Sequence, residues 1–399
     1  PNQICLLYLR SWDMKSNYNQ LGQYIEMVSR TNSDLKYGIE DVRGCSNTKQ
    51  MMQTRANLIG RTYEKFIVLR PQEFVFNRRT TRNGEKIGMA YNNTDREYIF
   101  TNDYVAFRVK QEYLDKLLPD YLYLFFCRDE FDRYARYKST GSATEFFNWE
   151  DMCAVPFEIP PMDFQQLVVN AYKVLNKRIE TKQKINDNLA TQALTLFSDF
   201  VSHLSKKLEQ RKLGDVIASA NTGGDAIQKV PIVDYDTGIK CARVGDITNA
   251  REYASWAFCN ASKSVYDNYK LQAGDILVTR TATLGITQYI AKDISAVYNN
   301  GLIRLKVNDT NALPLYIYWA MKTSDFLNYI NQMNSATSVR PNMKIDYLLN
   351  YQLSIPSIEE QTQFTNTVEP LMNAISLNND EILKLSEFQA IILTTLSSR

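Results

Sequence analysis

The sequence predicts an α+β protein built twice over: two α+β globules, related by an approximate two-fold axis and held apart by an antiparallel pair of long helices. Three observations predict it. Residues 162–203 carry apolar positions alternately three and four apart over about eleven turns, with no Gly or Pro, the stripe of a coiled-coil-like helix. Residues 358–398 repeat that stripe. The stretches that lead into the two helices, Ile159-Pro160-Pro161-Met162-Asp163-Phe164-Gln165 and Ile355-Pro356-Ser357-Ile358-Glu359-Glu360-Gln361, match without a gap at an offset of 196 residues.

In the first helix the expected seam is Val168, Ala171, Leu175, Ile185, Leu189 and Leu196. In the second it is Phe364, Val368, Leu371, Ile375, Ile382, Leu385, Ile392 and Leu396, with Asn378 and Gln389 as polar interruptions. Each helix would run about 60 Å at roughly 1.5 Å per residue, too long for one ordinary domain. Proline ends the preceding strand, and acidic residues suit the positive end of the helix dipole. Ser357 followed by Glu360 is a capping box. Pro370 is expected to kink or interrupt the second helix. Lys and Arg exceed Asp and Glu by four over residues 161–212 and fall four short over 357–399, a complementarity that favours pairing of the two helices with each other.

The repeat extends into the globules. Leu21-Gly22-Gln23-Tyr24-Ile25 answers to Leu213-Gly214-Asp215-Val216-Ile217, and Pro71 to Arg78 answers to Ala273 to Arg280 as turn, strand and departing Arg. Tyr121 to Phe126 answers to Pro314 to Trp319, and Ser142-Ala143-Thr144 to Ser335-Ala336-Thr337. The expected division is 1–160, 161–212, 213–356 and 357–399, an internal duplication rather than a solenoid. Met14 reads as a start, which makes residues 1–13 an upstream extension. Short β-rich runs such as 65–69, 73–77, 276–279 and 302–307 mix with one or two helices in each globule.

Composition excludes other classes. With 44% apolar and 23% charged residues the 399-residue chain is an ordinary globular one, and no apolar run reaches the roughly 18 residues of a membrane span. Six scattered cysteines without paired spacing fit reduced thiols in a cytoplasm rather than disulfides or a zinc site. There is no Asn/Asp-Pro-Pro-Tyr/Phe methyltransferase loop and no Walker sequence, so neither base methylation nor ATP hydrolysis is expected of this chain. His203 is the only histidine, which argues against histidine-based nucleophilic or metal chemistry.

Taken in this order and duplicated, the Leu-Gly half openings, Ala273-Gly274-Asp275-Ile276-Leu277-Val278-Thr279-Arg280 followed by Gly285, the Ser-Ala-Thr boxes and the Ile-Pro lead-ins ending in Gln resemble a type I restriction-modification specificity subunit. The resemblance covers residues 14–399. It implies two target recognition domains, each reading half of a split double-stranded DNA sequence. It also implies helices that set the half-site separation and dock two methyltransferase subunits, with restriction subunits joining the larger complex. No cofactor is implied for this chain; S-adenosylmethionine would sit on the methyltransferase subunits, ATP and Mg on the restriction subunit. First-half departures are Pro71-Gln72-Glu73 and Phe146-Phe147-Asn148-Trp149.

Candidate DNA contacts in the first globule are Asn77, Arg78, Arg79, Thr80, Thr81, Arg82 and Lys86 after a strand, with Arg43, Asn47 and Lys49 in a second loop. In the second globule they are Arg280, Thr281 and Thr283; Asn221, Thr222 and Arg243; and the cluster Ser335, Thr337, Arg340, Asn342 and Lys344. Cations pair phosphates, Arg fits guanine bidentately and Asn fits adenine. The alternative is a protein–protein interaction scaffold without sequence-selective DNA binding, which a salt series on duplex DNA separates from a reader.

Overall fold

The computed structural model describes residues 19–54, 58, 60–79, 86–140, 145–204, 210–223, 232–336 and 342–396. The chain divides into two compact units, and the division passes through both long helices. One unit holds residues up to Arg178 together with those from Leu385 onward; the other holds Ile179–Lys384.

The first unit is organised on a four-stranded antiparallel sheet in the order Ile25–Val28, Tyr104–Val109, Phe74–Asn77, Met89–Tyr91. Alternate residues of these strands point to one face, where Phe74, Phe76 and Phe107 meet Phe126, Phe131 and Phe147 in a buried aromatic core. The other face carries two two-stranded ladders, Arg43–Cys45 with Met51–Gln53 and Ile67–Leu69 with Tyr98–Phe100. The second unit repeats the sheet order: Ile217–Thr222, Leu302–Val307, Ile276–Thr279, Thr287–Tyr289. Its further layer is one four-stranded sheet, Ile232–Val233, Ala257–Cys259, Lys240–Ala242, Ala296–Tyr298.

The matching lead-ins have a shared job. Gln165 is fully buried; its Nε2 donates to the carbonyls of Lys116 and Pro160, both at 2.7 Å, and its Oε1 accepts from the Leu118 N–H at 2.9 Å. Gln361 is equally buried, accepting from the Leu313 N–H at 2.7 Å and donating to the Pro356 carbonyl at 2.9 Å. Each glutamine thereby ties the start of a long helix to the start of a short one, Pro119–Phe126 or Pro314–Ala320. Both short helices open on proline, so Tyr121 corresponds to Tyr316. The correspondence of Tyr121 with Pro314 expected from sequence was out by two positions.

The long helices are Met162–His203 and Ile358–Thr395. Within the second unit they run antiparallel: Lys182 donates to Asn378 at 2.8 Å and pairs with Glu381 at 2.9 Å, Asn378 donates to Asn186 at 2.8 Å, and Phe197 and Phe200 pack on Phe364. Within the first unit Val168 and Val169 share a core with Ile392, Leu393 and Leu396, the same sense of pairing. The second seam follows expectation, with Phe364, Val368 and Leu385 buried and Asn378 lying on it. The first seam differs at its centre. Ala171 is exposed and Ile185 is 41% exposed, while Ile179, Ala193 and Phe197 are buried; hydrogen-bonded Lys182 and Asn186 hold the middle in place of apolar side chains. The helix also continues through Pro370. Pro370 and Asn366 are exposed, so water can satisfy the carbonyl that proline leaves without a donor, and buried Phe364 and Val368 offset a cost of about 3 kcal/mol.

Among the described residues, no helix is long and apolar enough to cross a membrane.

Candidate nucleic-acid interface

In each unit the polar segments singled out by sequence gather at one end of the four-stranded sheet. In the second unit Thr222 pairs with Ile303 and Thr279 with Leu302, so the strand ends carrying Asn221, Thr222 and Arg280 lie side by side. The segment at Asn342 joins them through a bridge to Thr281 and the Met343 N–H donating to the Arg280 carbonyl at 2.8 Å. Thr283, Asn342 and Lys344 are exposed there.

These segments share one neighbour that sequence reading passed over, the turn Asn299-Asn300-Gly301. The Arg280 N–H donates to the Gly301 carbonyl at 2.9 Å, the Asn299 N–H to the Ala242 carbonyl at 3.0 Å, and the Arg280 Nη1 to the Asn300 carbonyl at 3.3 Å. A Cβ on Gly223 would overlap the Tyr298 carbonyl, and one on Gly301 would overlap Val244 and come within 2.9 Å of the Thr281 hydroxyl. Only glycine admits such approach. An Asn-Asn-Gly stretch between two β-rich runs was the available signal.

In the first unit the same end of the sheet is built alike. Asn77 pairs with Tyr104, Arg79 bridges to Phe146, and the Phe147 N–H donates to the Arg78 carbonyl at 2.9 Å. Phe147 and Met343 are both fully buried, so the first-half Phe-Phe departure fills the place of the second-half methionine. Arg78 and Lys86 are exposed. Arg79 reaches Asp103 at 3.5 Å and Lys86 reaches Asp129 at 3.5 Å, both at the surface, where such pairs hold a side chain only weakly.

Several expected contacts are otherwise engaged. Lys49 is buried, ion-paired with Asp132, and donates to the Ile87 carbonyl at 2.9 Å. It fastens a hairpin to the globule and is not available at the surface. Burial lowers its pKa, against the opposing pull of Asp132. Arg43 lies on a strand, not in a loop; its Nη1 donates to the carbonyls of Glu40 and Val42, and its guanidinium stacks 4.5 Å from the Tyr98 ring centroid. Asn47 is exposed in the turn of that hairpin. Arg243 precedes the short helix Val244–Thr248 and pairs with Asp246 at 3.2 Å. Asn221 accepts the hydroxyl of Tyr298, whose pKa burial raises. Arg280 spends its Nε on the Met343 carbonyl at 3.1 Å. Ser335 lies in the helix Ser324–Ala336. Thr80, Thr81, Arg82, Thr337 and Arg340 lie outside the described residues, as do residues 1–18 and the box Ser142-Ala143-Thr144.

The two sheets of one order fall within two matches to one sequence family: residues 24–191 and 205–387 each match the family described as type I restriction modification DNA specificity domain. The chain belongs to that family. Its fold is similar to that of a type I restriction-modification system S subunit from M. genitalium, at 14% identity and a TM-score of 0.51, over 96% of this chain and 98% of that one. The HsdS subunit from Thermoanaerobacter tengcongensis aligns at 15% identity and a TM-score of 0.34, over 96% of this chain and 97% of that one. No curated protein matches the sequence. Each of the two specificity-domain matches contains one of the four-stranded sheets and its cluster of polar turns.

Proposed function

We propose that this chain is the non-catalytic DNA-reading subunit of a type I restriction-modification complex, with each unit recognising one half of a split duplex sequence. One observation carries the reading: the specificity-domain family is matched twice, and each match holds exposed polar turns at the same end of an equivalent sheet. Short rigid turns bearing Arg, Lys, Asn and Thr supply both phosphate contacts and base-edge contacts. The long helices set the spacer and dock two methyltransferase subunits, and restriction subunits join that assembly. S-adenosylmethionine belongs to the methyltransferase partners, ATP and Mg to the restriction subunit, and the complex works in the cytoplasm.

The test exchanges residues 213–356 for those of a relative and reads the methylated sequence in cells. One half of the split sequence should change while the other stays. Change in both halves, or in neither, defeats the assignment of one half-site to each unit.

A further inference from the structure

We propose that Asn300 and Asn102 are specificity-determining residues, each presenting its side-chain amide to an adenine edge in the half-site read by its own unit. The inference rests on the DNA-reading function proposed above. Asn300 sits at the tip of the turn on which the polar segments of the second unit converge. The turn is closed by the Leu302 N–H donating to the Asn299 carbonyl at 3.0 Å, and the Asn299 Oδ1 accepts from the Gly301 N–H at 3.1 Å. The turn therefore takes its side-chain hydrogen bond from Asn299. Asn300 is exposed, and its amide has no partner among the described residues.

The first unit holds the same residue type in the same place. Asn77 pairs with Tyr104 where Thr279 pairs with Leu302, which sets Asn102 opposite Asn300 in the repeat. Its turn is closed by the Tyr104 N–H donating to the Thr101 carbonyl at 3.2 Å. Asn102 is exposed and likewise without a side-chain partner among the described residues. Apart from these asparagines the two turns differ, Thr101 and Asp103 standing where Asn299 and Gly301 stand. The asparagine is thus the polar feature that both heads share at this tip.

Rigidity suits the task. Arg280 ties the turn to the neighbouring Met343 segment, donating to the carbonyls of Asn300, Gly301 and Met343, so it acts as a positioning residue beneath Asn300. A planar amide carried on a backbone held in this way can donate to adenine N7 and accept from adenine N6 at once, which is the pairing that distinguishes adenine in the major groove.

The experiment selects duplexes from a randomised library with the full chain assembled with its methyltransferase partners. Asn300→Asp keeps the shape but replaces the donor with an acceptor. It should lower preference for one adenine by roughly ten- to a hundredfold and move that position toward cytosine, leaving the other half-site unchanged. Asn102→Asp should do the same in the opposite half. Asn300→Ala should lose the preference without acquiring a new one, and unchanged thermal unfolding keeps the comparison on recognition. Retention of the wild-type sequence at every position by both Asn300 variants, or change spread over both halves, overturns the inference and leaves the reading function standing. A wild-type complex that selects no sequence overturns both.

Discussion

The two units agree closely in their frame and part company in what lies over it. Both thread a four-stranded sheet in one order, bury a glutamine where a long helix begins, and place a tyrosine pair, Tyr91 with Tyr123 or Tyr289 with Tyr318, at ring separations of 5.4 and 5.5 Å. Over that frame the first unit lays two separate two-stranded ladders, and the second lays a single four-stranded sheet. The lesson is one of attachment. The over-layer packs on the face of the sheet turned away from the helix starts, through a buried core of its own (Leu69, Tyr98 and Phe100 on Val75, Ala90 and Ala106; Ala242, Ala296 and Tyr298 on Leu277 and Leu302). It can therefore change without disturbing those starts, whereas a change at Gln165 or Gln361 disturbs buried backbone directly.

That contrast is broken hardest at the glutamines. Gln165→Ala leaves the Leu118 N–H and the carbonyls of Lys116 and Pro160 without their buried partner, and also opens a void. The combined cost is about 3–5 kcal/mol. Gln361→Ala strips two such groups and should cost less, about 2–4 kcal/mol. Denaturant unfolding followed by hydrogen exchange, resolved by unit, measures both. A Gln165→Ala variant that costs under about 1 kcal/mol would show that the lock is ornamental and the shared frame held elsewhere.

A second test uses an equivalent position just beyond each short helix, where the units carry different titrating groups. Lys322 donates to the Thr287 carbonyl at 2.8 Å, and burial lowers its pKa to about 8 from 10.5. Between those values the unfolded chain keeps a proton that the folded chain has released, so the second unit gains stability as pH rises through that window. Cys127 stands at the equivalent place, and burial raises its pKa to about 11 from 9.0. There the unfolded chain loses its proton first, so the first unit loses stability between pH 9 and 11. Difference curves against Lys322→Met and Cys127→Ser, taken from pH 7.5 to 11, should slope in opposite directions. Slopes of one sign would deny that both sites are dry.

Much of this is legible in the sequence. Runs of apolar residues at helical spacing identified both long helices, and the offset of 196 between the lead-ins located the glutamines without saying what they do. The first seam misled at its centre because periodicity counts only apolar side chains. Lys182 and Asn186 pair through hydrogen bonds to Asn378, a contact invisible to hydropathy. Three of the candidate contacts mislead for a related reason. Sequence shows that Lys49, Arg43 and Arg280 are cations near turns, but not that their donors point at carbonyls and a carboxylate inside the fold. The sequence does not single out Asn300, because a polar turn looks the same whether its side chains serve the turn or are free of it.

The finest distinction between the halves is a single backbone angle. At the turn before the central strand Gly274 has φ +87°, and the first-half departure Gln72 takes up φ +64° at the same place. The turns are otherwise alike: the Gln72 N–H donates to the Asn92 carbonyl and the Gly274 N–H to the Ile290 carbonyl, both at 2.8 Å, while Glu73 and Asp275 each accept from the backbone three residues earlier. A side chain in this left-handed region costs about 1 kcal/mol, part of which glycine returns through the greater entropy of its unfolded chain. Gln72→Gly should therefore stabilise the first unit by about 0.5 kcal/mol. Gly274→Gln should destabilise the second by about 1 kcal/mol, since its new Cβ would meet the Pro314 ring at 3.4 Å, ordinary contact rather than a clash. Paired thermal unfolding curves decide it. If Gln72→Gly destabilises instead, the glutamine side chain contributes something in the first unit that its exposed position does not reveal, and the two turns are equivalent in path only.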